Sequence, residues 1–294
     1  MEKYLDLIKN SYYGYWNYIK RTVFMELNWE NYFYGLIIIS GLVWALEVLF
    51  PWRKNQTLFR KDFWLDTFYM FFNFFLLNLI VLIALSNAAE LLFNDLLNIV
   101  GVSIADFKLL EINTLPFFAR IFLFFIVVDF VQWWTHRLLH KFKFLWNFHK
   151  VHHSVKQMGF AAHLRYHWME PVIYNSLRYI PLAIIGGFSA KDVALVHFFN
   201  ITIGHLNHAN INWDYGWLKY ILNNPKMHIW HHSKDLPEER KQGVNFGLTL
   251  SIWDYIFKTN YIPHSGRDIE IGFDDDENFP KSFIQQELYP FNKR

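Results

Sequence analysis

Residues Leu115–Ser154 read LPFFARIFLFFIVVDFVQWWTHRLLHKFKFLWNFHKVHHS. The first half, Leu115–Trp134, is apolar and has about the twenty residues needed to cross the hydrocarbon layer of a bilayer. It runs without a break into His136 and His140, and then into His149, His152 and His153. A span joined directly to so many histidines decides the fold class. It reads as an all-α, multi-pass membrane protein with a polar, histidine-rich layer at one membrane surface. The last six residues, HKVHHS, return as HIWHHS at 228–233. With 14 histidines in 294 residues, chance does not place three at named positions twice, so the repeat has a physical cause.

Helical geometry narrows that cause. His136 and His140 are four apart, about 40° of rotation and one turn of rise, so their rings point the same way. In each His-x-x-His-His string the three rings fall within about 100° of arc. His205 and His208 add two more rings, which makes ten on four segments. That number suits two transition-metal ions, since one ion rarely takes more than about six ligands. The chain has no cysteine, so disulfides, iron–sulfur clusters and thiolate zinc sites are excluded. Imidazole binds zinc, copper, iron and nickel, so the ligand type leaves the metal open. Packing does not require histidine over leucine. A proton relay would spread its members along a path, and a metal-storage tract would be low in complexity. These strings sit among Trp, Phe and Leu.

Composition agrees with a membrane protein: 53% hydrophobic, 20% aromatic and only 18% charged residues. The net charge of +2 says little about nucleic acid, but no basic cluster with base-stacking spacing stands out, so nucleic acid is not an expected partner. Residues 1–30 mix aromatic and charged side chains and read as interfacial amphipathic helix, with no signal-peptide pattern. Further spans are expected at Tyr32–Phe50 and Trp64–Ser86, followed by a long loop over 87–115. A helical hairpin is expected over about 171–208, turning at Gly186-Gly187, with Ser189 and Asp192 as a capping box. This gives about four membrane helices. The loop at 51–62 carries Arg53, Lys54, Arg60 and Lys61, whereas 87–115 carries only Lys108. By the positive-inside rule the first loop, and with it the histidine layer, is cytoplasmic. The expected organisation is an interfacial segment at 1–30, a catalytic membrane domain at 31–262 and a polar tail at 263–294.

Other polar residues have weaker claims. Asp129 lies inside a span, where an acid is a functional candidate by default. Arg165 and Glu170 are expected to pair and brace the site. Asn207, Asn210 and Asn245 are candidates to hydrogen-bond ligand rings. Asp66 reads as an interfacial residue. His197 and His264 are not expected to be ligands, and His163 ranks below His167.

The segment DFVQWWTHRLLHKFKFLWNFHKVHHS at 129–154 resembles the signature of the fatty acid hydroxylase/sterol desaturase superfamily. The likeness continues in LRYHWMEP (164–171), in NHANINWDYGWLKYILNNPKMHIWHHS (207–233), in VNFGLTLSIWDYIFKTN (244–260), and in ALEVLFPWRKNQ after the first span. LRYHWMEP is similar to the bacterial and alkylglycerol-monooxygenase-like branch. Trp168 and Lys258 depart from the usual Pro and Gly of that pattern. The resemblance implies a di-iron centre that uses O2 and two electrons to attack a C–H bond of a lipid. It implies as ligands His136, His140, His149, His152, His153, His208, His228, His231 and His232, with His205 or His167 as a tenth. Asp129, Arg165, Glu170 and Asn210 are the non-histidine candidates. There is no haem-binding cytochrome segment, so the expected electron donor is an external reductase or cytochrome. The expected location is the bacterial inner membrane ahead of the endoplasmic reticulum. Hydroxylation, desaturation and ether cleavage could all follow from one oxidant, because substrate pose decides among them. The rival of another class, a metal transporter, would place its ligands at mid-membrane.

Overall fold

The structure is a computed structural model that describes residues 2–26 and 31–292. Helix α1 (Glu2–Lys20) precedes α2 (Tyr32–Leu49), whose N-terminus is capped by the Asn31 side chain accepting from the Phe33 amide. Helix α3 (Phe63–Phe71) passes through π-helical turns at Phe72–Leu76 and Asn78–Leu82 into α4 (Ile83–Ile99). Helices α5 (Phe117–Lys141) and α6 (Lys143–His153) follow, then α7 (Met169–Ile184) and α8 (Ala190–His208). The remainder is shorter: α9 (Pro225–His231), α10 (Ile252–Ile256) and α11 (Phe283–Asn292), joined by 3-10 turns and loops.

Among the described residues, three helices are long and apolar enough to cross a membrane: Tyr32–Leu49, Phe63–Ile80 and Phe117–Lys141. Leu42, Leu49, Trp64, Phe118 and Phe122 stand exposed on them, as surfaces that face lipid would. The chain after the second span is not the long loop expected. It stays helical to Ile99, because residues 87–99 are mostly Ala, Leu, Asn and Glu and α1 packs along them. Lys3 Nζ and Tyr4 OH reach Asp95 at 2.9 and 2.8 Å, and Asn87 donates to Ser11 Oγ at 2.8 Å. Glu90 and Asp95, within the stretch expected as loop, belong to this helix.

The hairpin of α7 and α8 forms as the sequence anticipates. Gly187 takes φ +94°, and a Cβ there would lie 2.7 Å from the Asn113 amide. The two-residue strands β1 (Leu110–Glu111) and β2 (Ile185–Gly186) pair in parallel at this corner. The Ser189–Asp192 capping box is present, and Arg120 of α5 clamps Asp192 with two hydrogen bonds, at 2.8 and 3.0 Å.

Asp66, expected at the interface, is instead fully buried between Arg60 and Arg165. The stretch read as a polar tail packs back on the rest. Phe273 and Phe279 join a core with Tyr69 and Val151, and Tyr69 OH donates to Gln286 at 3.0 Å.

Candidate metal centre

Four elements deliver the histidines. Helix α5 ends in His136 and His140. The chain then breaks at Phe142 (φ −98°, ψ 118°), so α6 turns back and brings His149, His152 and His153 beside them. Helix α8 ends on His208. Helix α9, started by Asn224 accepting from the Met227 amide and by Pro225 in its first turn, carries His228 and His231, with His232 at its C-terminal cap.

These rings form two clusters. His136, His140, His149, His153 and His231 make one, and His152, His208, His228 and His232 make the other. Within each, the available ring nitrogens all lie within 4.8 Å of one another. The doubled string now has a geometric answer. Each His-x-x-His-His string serves both clusters: His149 and His153 go to the first and His152 to the second, while His231 goes to the first and His228 and His232 to the second.

The outward nitrogens set the tautomers. His136 Nδ1 faces Phe246 O at 2.7 Å, His152 Nδ1 faces Arg165 O at 3.1 Å, His208 Nδ1 faces Gly204 O at 2.8 Å and His231 Nδ1 faces Val244 O at 2.8 Å. His149 Nδ1 faces Glu170 Oε2 at 3.0 Å. A carbonyl or carboxylate only accepts, so each of these Nδ1 atoms carries the proton and each Nε2 presents a lone pair. Those lone pairs point at one another. His136 Nε2 lies 3.0 Å from His149 Nε2, and His208 Nε2 lies 3.3 Å from His152 Nε2. Two acceptors at that distance repel unless a cation lies between them. His140 Nε2 and His232 Nδ1 are buried with no partner at all. His228 is the exception, since its Nδ1 meets the donor Asn223 Nδ2 at 3.4 Å. Burial, reinforced by neighbouring imidazoles, pushes His149, His153, His228, His231 and His232 well below the ordinary imidazole range, and holds His152 at about 3. Neutral rings with converging lone pairs and carbonyl-held backs are the donor set that a transition metal requires.

Other predicted site residues stand elsewhere. Both nitrogens of His167 are engaged, Nε2 with Glu287 O at 2.8 Å and Nδ1 with the Met169 amide at 3.0 Å, so it lies outside both clusters. His205 is also outside, because Nε2 meets Ser40 Oγ at 3.0 Å and Nδ1 meets His163 Nδ1 at 3.1 Å. His163, ranked below His167 on sequence, stands beside the second cluster with its ring 5.2 Å from that of His208. Arg165 and Glu170 do not pair. Arg165 binds Asp66 at 3.0 Å and Ser154 Oγ at 2.9 Å, and Glu170 backs His149. Asn210 fastens Arg53 through its amide and carbonyl, at 2.9 and 3.1 Å, and touches no ligand ring. Neither Asn207 nor Asn245 does so, as their amides donate to backbone carbonyls. Asp129 accepts from Trp253 Nε1 at 2.8 Å, deep in the span.

Sequence reasoning missed Asn223, and it missed the loop at 244–247. That loop supplies the Val244 and Phe246 carbonyls behind His231 and His136. Asp254 holds it by accepting from the Phe246 and Gly247 amides at 2.9 and 2.8 Å. The signal was present in the NFG and IWD strings, whose roles need the folded chain to be seen.

A cavity of about 690 Å³ opens between α5, α7 and α8 and reaches the histidines at His136, His149, His152 and His163, touching both clusters. Volumes of this order hold small ligands or the end of a lipid chain.

Comparison with known proteins fits this geometry. The Fatty acid hydroxylase family profile matches residues 121–259. The chain is 31% identical over 180 residues to the ornithine lipid hydroxylase OlsE of Rhizobium tropici, a match covering 61% of this chain and 52% of that protein. It is 34% identical over 137 residues to alkylglycerol monooxygenase of Homo sapiens, covering 46% of this chain and 29% of that one. A very-long-chain aldehyde decarbonylase of Oryza sativa subsp. indica is 30% identical over 142 residues, covering 45% and 22%. The chain thus matches about half or less of the length of these relatives. No solved structure matches.

Proposed function

Because the chain belongs to the fatty acid hydroxylase/sterol desaturase superfamily, we propose that it is a membrane-bound oxygenase that hydroxylates a lipid C–H bond with a pair of iron ions. The overall change takes the lipid C–H, O2, two electrons and two protons to the lipid C–OH and water. Nine imidazoles, His136, His140, His149, His153 and His231 on one side and His152, His208, His228 and His232 on the other, hold the two ions. His163 takes the place expected for His205 or His167 as the tenth ring at the centre. The observation that carries this reading is a single cavity that meets both clusters where their lone pairs converge.

An iron pair supplies the oxidising power that no side chain has. The chain's own residues do the rest. Carbonyls of Phe246, Val244, Gly204 and Arg165 fix ring tautomers and directions, and Glu170 backs His149. The apolar helices bring the lipid to the site within the membrane and keep water from it. Electrons come from an external donor. The positive loop at 51–62 supports a cytoplasmic histidine face, in a bacterial inner membrane.

Lipid profiling tests the function. An expressing strain should accumulate a lipid heavier by one oxygen, the His153→Ala strain should not, and the His264→Ala strain should. A loss of two hydrogens would make it a desaturase. An unchanged lipid profile in all three strains would overturn the reading.

A further inference from the structure

The cavity is not a plain hydrocarbon slot. Part of its wall is apolar, from Leu82, Ile104, Phe124, Leu182 and Val193. Another part is polar, and it lies close to the histidines. Gln132 sits on α5 one turn before His136, about 6 Å of helical rise. Gln132 Oε1 accepts from Arg178 Nη2 at 3.0 Å across the gap between α5 and α7. Arg178 also lies against the Tyr174 ring, 5.6 Å from its centroid. Its Nε is buried with no partner, and so is Nε2 of His197, which also lines the cavity.

An arginine here needs an explanation. A guanidinium offers five N–H donors in a fixed fork and stays charged. Among the described residues no carboxylate makes an ion pair with it. Asp129 is a nearby carboxylate, but it makes no ion pair with Arg178 and its Oδ2 accepts from Trp253 Nε1 at 2.8 Å. An arginine that served only as a membrane anchor would extend to the surface. Arg178 turns instead onto the cavity wall that Gln132 shares. A cation held among apolar helices with unfilled donors is costly unless an anion meets it.

We infer that Arg178 holds an anionic oxygen group of the lipid, carboxylate or phosphate, inside this cavity. The carbon presented to the histidine clusters then lies within a few bonds of that group and not in the middle of an acyl chain. This rests on the lipid-oxygenase reading and names its substrate class. The apolar part of the cavity takes hydrocarbon.

The test reads binding first. The full chain, purified with its metal in detergent, is offered oleate, dioleoyl phosphatidate and uncharged dioleoylglycerol, and retained lipid is measured by native mass spectrometry. Wild type should hold at least one anionic lipid about tenfold more tightly than the neutral one, the size of one charge-assisted pair. The better of the two anions tells carboxylate from phosphate. Arg178→Gln should bring all three to within about twofold, and Arg178→Lys should restore part of the preference. Gln132→Glu, which sets a carboxylate against Arg178, should remove the preference without removing the arginine. Metal content equal to wild type shows that a variant is folded. The inserted oxygen, located by fragmentation of the product, should lie near the headgroup. Equal binding of charged and neutral lipid by wild type, an unchanged preference in folded Arg178→Gln and Gln132→Glu, or oxygen in mid-chain would overturn the inference. If wild type binds anions through Arg178 yet makes no oxidised lipid, the oxygenase reading fails and the anion site stands.

Discussion

His152 and His153 are neighbours in the chain, yet they serve different clusters. The division comes from the arc of the string, since 149 and 153 are one turn apart while 152 is rotated away. A single ring lost from either cluster should therefore lower the bound metal. His163 and His167 make a sharper contrast. His163→Ala should reduce turnover and bound metal, because its ring lies against His208. His167→Ala should leave metal content unchanged, because both its nitrogens are used by the backbone. Elemental analysis of the two purified variants checks this, and equal metal loss in both would contradict it. Burial also sets a pH dependence. Rings held well below their ordinary range stay neutral in the folded apoprotein, while the unfolded chain protonates them below about pH 6.5. The unfolded state then binds more protons, so apoprotein stability falls as pH drops, by up to about 1.4 kcal/mol per ring per pH unit. Melting of metal-free protein between pH 7.5 and 5.5 should show a steep decline, and a flat profile would mean that the rings are not buried neutral.

At the scale of elements, the clustered rings depend on two supports outside the histidine strings. Asp254 accepts from Trp133 Nε1, the Phe246 and Gly247 amides and Thr259 Oγ1, at 3.1, 2.9, 2.8 and 2.6 Å. Asp254→Ala strands these buried donors, and should cost about 2–4 kcal/mol and weaken metal binding about 10–100-fold. Melting and metal titration of the variant measure both, and an unaltered metal affinity would show that the loop does not hold the rings. Gly204 is the second support. A Cβ there would fall 2.2 Å from ring atoms of His163. Alanine is otherwise favoured over glycine inside a helix such as α8, so a lower melting temperature and lower turnover in Gly204→Ala would report displacement of His163 alone.

For the whole molecule, the absence of cysteine makes topology easy to read. Single cysteines introduced as Lys54→Cys and Glu239→Cys should resist a membrane-impermeant thiol reagent in intact spheroplasts, and Leu109→Cys should react. The opposite pattern would place the histidine face outside. Much of this architecture was legible in the sequence. The spans show as apolar runs, and the histidines show by helical spacing, because both signals are local. What stayed hidden depends on partners far along the chain. Asp66 is buried because Arg165 meets it from 99 residues away. That His163, not His167, stands beside His208 depends on the turn at Phe160–Leu164 packing on α8 where Gly204 leaves room. The helix to Ile99 was hidden because its charges resembled a loop until α1 supplied Lys3 and Tyr4 as partners. An arc of about 100° fits one ion or two equally well, so the division into clusters needed three dimensions.

The most direct measurement is the metal content and coordination of the purified full chain, by elemental analysis with X-ray absorption at the metal edge. Two iron ions per chain, each surrounded by imidazole nitrogen and without sulfur, is the predicted result. A single ion per chain, or a metal content left unchanged by His153→Ala and His232→Ala, would contradict a centre built from two histidine clusters.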